Sequence, residues 1–197
     1  MKKRQDAKDK ILGAAIHEFS RHGFERAISH VASKAHVNDI TIYRHFKHKS
    51  GLQLAALLHA QDNSPMITYM EGVLARERVP PLSTVVPELG RVACGPGREL
   101  CSMIYFVGLQ NHKLLVEWGS STPRDRLVPL LAQYVVRLQA QGQTRGLDPG
   151  SLARSILGSM LSLFSRNCLF ASMEVADQEA KETASLLEML ERRTRHS

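Results

Sequence analysis

In the stretch Asn38-Asp39-Ile40-Thr41-Ile42-Tyr43-Arg44-His45-Phe46, charged, aromatic and hydroxyl side chains recur at a spacing that sorts them by face. On a helical wheel at about 100° per residue, Ile42 and Phe46 fall together and must face a core. Arg44, Ile40 and Thr41 fall on the opposite side, with Tyr43 and His45 on its two edges. A guanidinium can fork onto guanine, and an Ile or Thr methyl can touch the methyl of thymine. Tyr43 and His45 are placed to meet phosphates on either wall of a major groove. The chemistry expected of this face is recognition of double-stranded DNA by a helix Asp39–Phe46, with Asn38 as its N-cap.

Other constellations carry less. Catalysis needs a convergent nucleophile, base and orienter. The chain has no GxSxG, no HExxH, no phosphate-binding glycine loop and no paired carboxylates at useful spacing, so no enzyme is expected. His45 and His48 lie three apart, but no Cys or carboxylate follows at zinc-site spacing, so neither metal nor cofactor is expected. Cys94 and Cys101 flank Gly95-Pro96-Gly97; buried structural thiols are favoured there over a redox pair.

A reading helix needs a scaffold. Ser29–Ala35 predicts a short helix capped by Ser29, with Val31, Ala32 and Ala35 inward, and His36-Val37-Asn38 breaks it from the next. Before it, about Asp6–His22 predicts a first helix with the stripe Ile11/Leu12, Ala15 and Phe19, closed by Gly23. After it, Ser50 is expected to cap a fourth helix.

These residues resemble the tetracycline-repressor (TetR) family of bacterial regulators. The likeness runs through Ile11, Leu12, Ala14, Ala15, Phe19, Gly23-Phe24, Val31-Ala32, Ala35 and Val37. It continues through Thr41-Ile42-Tyr43-Arg44-His45-Phe46 and ends at Lys47, Lys49 and Leu52, roughly the first quarter of the chain. The resemblance implies a helix-turn-helix head, a Lys49 that contacts phosphate and ties helix 4 to the head, and effector binding among the middle helices. DNA contacts are therefore expected from Ser29, Asn38, Ile40, Thr41, Tyr43, Arg44, His45 and Lys49. There are departures: His36 stands where the family usually has Gly, and the run Gly23–Val31 is one residue short and lacks the usual Thr before helix 2. Asp39 and Ile40 replace more usual small or basic residues.

Charge follows the same division. The net charge is +7, and residues 1–60 hold eleven Lys/Arg against five Asp/Glu, leaving the remainder near balance. A basic excess confined to the helix-turn-helix third suits a phosphate-binding module. The basic start Met1–Gln5 reads as a solvated terminus or as an arm on the DNA backbone. Three widely spaced cysteines form no disulfide framework, which fits a reducing cytoplasm. The start does not read as a signal peptide, and no apolar run approaches the roughly 18 residues of a membrane span.

The rest reads as helices. Asp62-Asn63-Ser64-Pro65 breaks the fourth, with Ser64 as cap and Pro65 first in the next, a candidate hinge. Helices follow over Glu71–Arg78, Ser83–Cys94, Arg98–His112, a short piece to Trp118, Pro123–Gln141, Pro149–Met173 and Ala176–Arg193. By the resemblance, Met103, Tyr105, Phe106, Trp118, Tyr134, Met160 and Phe164 are candidates to line a pocket for a small apolar effector. Pro149–Met173 is apolar on almost every side and needs two buried faces. A homodimer is expected through Ile156, Met160, Leu163, Ala180, Ala184, Leu187 and Leu190. The sequence thus predicts an all-α chain of about nine helices: a DNA-binding domain over residues 1–50 and an effector and dimerisation domain over 51–197. The function expected is a ligand-responsive transcriptional regulator, most naturally a repressor. The competing reading is a dimeric helical module that binds a protein partner without sequence-specific DNA binding.

Overall fold

The hydrophobic periodicity is realised in the computed structural model as helices alone. The structure describes residues 2–120, 126–144, 146, 148–164 and 185. Among these are ten helices and no strand, in line with the all-α expectation. They are α1 Lys2–His22, α2 Ile28–Ala35, α3 Asp39–Phe46, α4 Lys49–Asp62 and α5 Pro65–Leu74, followed by α6 Leu82–Cys94, α7 Arg98–Gln110, α8 His112–Ser120, α9 Leu127–Ala140 and α10 Pro149–Phe164. Of the predicted last helix, Ala176–Arg193, only Ser185 is described, in helical conformation and exposed; the predicted start of α9 at Pro123 lies outside the described residues. No described helix is long and apolar enough to cross a membrane.

Packing divides the chain into two units, Met1–Ser64 with Glu99–Arg124, and Pro65–Arg98 with Asp125–Ser197. The first unit joins α1–α4 to α7 and α8. Ile11, Ala15, Phe19, Phe24, Val31, Ile42, Leu52 and Leu57 form its core, together with Met103, Val107 and Leu114 from α7 and α8. The Phe19 and Phe24 rings meet at 5.2 Å. Burying each such ring contributes roughly 1.5–3 kcal/mol, so α1 and the loop after it anchor the unit. The functional division expected at residue 50 is a different cut, since by packing α4, α7 and α8 share the core of α1–α3.

In the second unit α5 packs on α6 and α9, and α10 packs on α6 and α9. Its core holds Met66, Met70, Val73, Val85, Leu89, Leu131, Tyr134, Val135 and Leu138. The Arg137 guanidinium closes the end of α5, donating to the carbonyls of Leu74, Arg76 and Glu77. A cation there suits the negative end of the helix dipole.

Candidate nucleic-acid interface

The reading head is assembled by local rules, with two caps placed differently from expectation. α2 buries Ile28, Val31, Ala32 and Ala35, a spacing that lays one face on the core. Its N-cap is Ala27, which makes no side-chain cap bond. Ser29 therefore sits exposed inside the first turn instead of capping, because Ile28 is drawn into the core and starts the helix one residue early. At the other end His36 adopts φ 55° and ψ 44°. The Val37 N–H reaches the Ala32 carbonyl and the His36 N–H reaches that of Ser33, a Schellman closure usually made with Gly. The helix-turn-helix break is thus made by a residue whose Cβ disfavours that conformation.

Asn38 then starts α3 as predicted. Its Oδ1 accepts from the Thr41 N–H at 2.8 Å and from the Thr41 hydroxyl at 2.7 Å. Thr41 commits its hydroxyl proton to the cap, and its methyl remains for an apolar contact. α3 has only eight residues, too few to persist on propensity. Ile42 and Phe46, both buried, pin it to the core. The opposite face is left open: Ile40 is 76% exposed, Tyr43 is 46% exposed and Arg44 is exposed, with Thr41 and His45 half-buried beside them. Asp39, half-buried, lies in the first turn, where the helix dipole favours a carboxylate.

The second corrected cap is at α4. His48, not Ser50, is the N-cap: its Nδ1 accepts from the Gly51 N–H at 2.9 Å. The Ser50 hydroxyl lies 2.8 Å from the same nitrogen, so it supports the cap from within the first turn. A Cβ on Gly51 would stand 2.3 Å from the Phe46 carbonyl oxygen. Gly51 therefore lets the end of α3 come down onto the start of α4. Lys49, half-buried, donates from Nζ to the Glu25 carbonyl at 3.0 Å, which ties α4 to the loop between α1 and α2.

That loop, residues 23–27, is held from several sides by residues that sequence patterns did not single out. Gln53 Nε2 on α4 donates to the Phe24 carbonyl at 2.7 Å. The Phe24 N–H donates to Gln110 Oε1 at the end of α7, 3.2 Å away. Arg26 Nε donates to Glu18 Oε2 at 3.0 Å, and His17 Nδ1 stands 3.4 Å from the other carboxylate oxygen. Burial works to raise the Glu18 carboxyl, but the Arg26 hydrogen bond, the nearby His17 ring and the charges of Arg26 and His22 outweigh it. The group is held below the ordinary carboxylate range.

The predicted DNA-contact residues Asn38, Ile40, Thr41, Tyr43, Arg44 and His45 are gathered on α3 and its cap, with Ser29 on α2 and Lys49 at the start of α4. The predicted pocket residues fall on both units. Met103 is fully buried in the first unit's core, with Phe106 and Trp118 packed against that core and Tyr105 half-buried on α7. Tyr134 and Met160 are buried in the second unit, where the Tyr134 hydroxyl donates to the Pro80 carbonyl. The Phe164 side chain lies outside the described residues. Of the predicted dimer residues, Ile156 and Met160 are buried by this chain alone. The face α10 leaves exposed is Ser151, Arg154, Ser155, Gly158 and Ser159, so the helix is not apolar all round over that span. The Leu163 side chain and Ala180, Ala184, Leu187 and Leu190 lie outside the described residues.

Residues 11–56 match the sequence model of the bacterial regulatory proteins of the tetR family. No curated protein matches the chain. Among solved structures, GusR of Salmonella enterica is similar at TM-score 0.71 and 19% identity, over 95% of this chain and 96% of that one. The TetR-family transcriptional regulator PfmR of Thermus thermophilus is similar at TM-score 0.64 and 20% identity, over 90% and 96%. AibR, solved in complex with isovaleryl coenzyme A and operator DNA, is similar at TM-score 0.63 and 18% identity, over 92% and 97%. Residues 11–56 are thus similar to the bacterial regulatory proteins of the tetR family, and the chain has the all-helical fold seen in TetR-family transcriptional regulators.

Proposed function

We propose that this protein is a homodimeric, ligand-responsive repressor that acts in the cytoplasm and leaves a near-palindromic operator when a small apolar molecule binds. The observation that carries the reading is the division of α3. Its core contacts are confined to Ile42 and Phe46, while Ile40, Tyr43 and Arg44 stand exposed in the basic third of the chain. An exposed isoleucine beside an exposed arginine suits a thymine methyl next to a guanine edge. Tyr43, His45 and Lys49 supply phosphate contacts at the edges of that face, with Ser29 on the preceding helix. Two heads one helical turn apart read the two half-sites.

The effector reading narrows to α7 and α8. Met103, Tyr134 and Met160 are committed to packing, and among the described candidates the half-buried Tyr105, Phe106 and Trp118 have surface to offer a ligand. Aromatic walls with few polar atoms favour an uncharged or weakly polar molecule. AibR, similar in fold and solved with isovaleryl coenzyme A and operator DNA together, supports a regulator that meets both a small molecule and DNA.

Selection of bound genomic fragments, with and without cell extract, tests the proposal. A shared near-palindrome recovered from the selection, and lost when extract is added, supports it. Asp39, whose carboxylate repels phosphate, favours the second reading of a helical module without sequence-specific DNA binding. Failure to enrich any sequence would establish that second reading over the first.

A further inference from the structure

The loop between α1 and α2 decides where α2 begins, and so where α3 points. The loop is held by four side chains, three of them on its backbone. Glu18 reaches it through Arg26 from α1, and Lys49 and Gln53 reach it from α4. The fourth, Gln110, comes from α7, and its bond to Phe24 spans 86 residues of sequence. We propose that Gln110 is the positioning residue through which the α7–α8 corner sets the DNA-reading geometry of α2 and α3. The inference rests on the DNA-binding reading above and names the contact that regulates it.

The geometry is specific at this corner. Gly23 has φ +75°, and a Cβ there would stand 2.4 Å from Gln110 Oε1. The bare Cα of Gly23 is what allows the Gln110 side chain to lie against the loop and accept from the next N–H. Phe24 is fully buried while Gln110 is exposed, so the bond between them is partly buried at the edge of the core. Directly after Gln110, the Asn111 side chain accepts from the Leu114 N–H and starts α8. Leu114 is buried in the same core, and Trp118 Nε1 donates to Gln61 Oε1 on α4 at 3.0 Å. The corner is therefore fastened to the loop at one end and to α4 at the other.

A helix rises about 1.5 Å per residue, so a shift of α7 by less than one residue's rise carries a 3.2 Å bond past hydrogen-bonding distance. The loop then has two arrangements, with Gln110 engaged and with Gln110 withdrawn. A molecule that binds α7 and α8 better in the withdrawn arrangement lowers the population that fits DNA. No contact between that molecule and the head is required.

Two substitutions separate this role from general packing. Gln110→Met keeps the length and removes the acceptor; Gln110→Glu keeps the acceptor oxygen. Binding to a selected operator duplex and to a random duplex is read by fluorescence anisotropy. Trp118, the only tryptophan in the chain, reports on the corner. Gln110→Met is expected to lose about tenfold in operator affinity, the cost of one partly buried hydrogen bond, with random-duplex affinity within about twofold because the phosphate contacts remain. Gln110→Glu should stay within about threefold of the unmutated protein, a small penalty from one added negative charge near DNA. The Trp118 response to operator should disappear in Gln110→Met alone. Unchanged operator affinity and Trp118 response in Gln110→Met would overturn the inference, as would equal losses in both variants. If the unmutated protein binds no DNA, the DNA-binding reading falls by itself. Hydrogen exchange over residues 23–30 then decides the loop contact: faster exchange in Gln110→Met upholds it, and unchanged exchange removes it.

Discussion

Arg44 and Lys49 both bring positive charge to the helix-turn-helix region, in different surroundings. Arg44 stands exposed on the open face of α3, whereas Lys49 is half-buried at the start of α4 and reaches the Glu25 carbonyl. Arg44→Ala should cost about 1–3 kcal/mol at one base position and relax the preference there. Lys49→Ala should reduce the slope of log affinity against log salt by about one unit. A salt titration over a set of single-base operator variants checks both; an unchanged salt slope in Lys49→Ala would remove its phosphate contact. Glu18 gives a prediction in pH. Its carboxyl is held below the ordinary range in the folded head. A lowered folded value means that its stabilisation is complete above the unfolded carboxylate range and is lost as pH falls through the folded value. Melting temperatures taken downward from neutral pH should fall through that window. Glu18→Gln should be less stable near neutrality by roughly 1–3 kcal/mol and show a shallower acid decline. An equal decline in both proteins would remove Glu18 from the explanation.

At the scale of elements, the head is built from short helices whose ends are held unevenly. α3 has a side-chain cap, α2 has none, and the turn between them forces His36 into a left-handed conformation. Asn38→Ala should cost about 1 kcal/mol, while Ala27→Ser should return a similar amount. His36→Gly should stabilise by about 0.5–1 kcal/mol, the relief of the left-handed Cβ less the entropy of glycine. Urea unfolding measures all three, and a destabilised His36→Gly would show that the histidine ring has a compensating contact. The residues of α2 and α3 that face the core were legible because the helical period leaves few options for Val31, Ala32, Ala35, Ile42 and Phe46. The caps were less legible. Ser29 and Ser50 are good capping residues displaced by neighbours, Ile28 by its burial and His48 by its ring nitrogen. The contacts of Gln53 and Gln110 with the loop had no local signal, since their partners lie 29 and 86 residues away. For the same reason the candidate pocket residues could be named from the sequence but not sorted between the two units.

At the scale of the whole molecule, a head that reads one half-site needs a second copy to read the other. Ile156 and Met160 are buried by the chain's own packing, so on α10 the face left for the proposed seam between copies is the exposed one around Ser155 and Ser159. Leu187→Glu should yield monomers by light scattering and lose operator binding in the same step; monomers that still bind the full operator tightly would separate dimerisation from recognition. The central claim is that the open face of α3 reads base edges. The most direct measurement compares the unmutated protein and Arg44→Ala on a selected operator and on a scrambled duplex of the same length and composition, at one salt concentration. The account predicts that the unmutated protein prefers the operator by about 10³-fold or more, and that Arg44→Ala loses most of that preference while keeping its affinity for the scrambled duplex within a few-fold, since one phosphate-independent contact is removed. Equal affinity of the unmutated protein for the two duplexes, or a preference that survives Arg44→Ala intact, would contradict it.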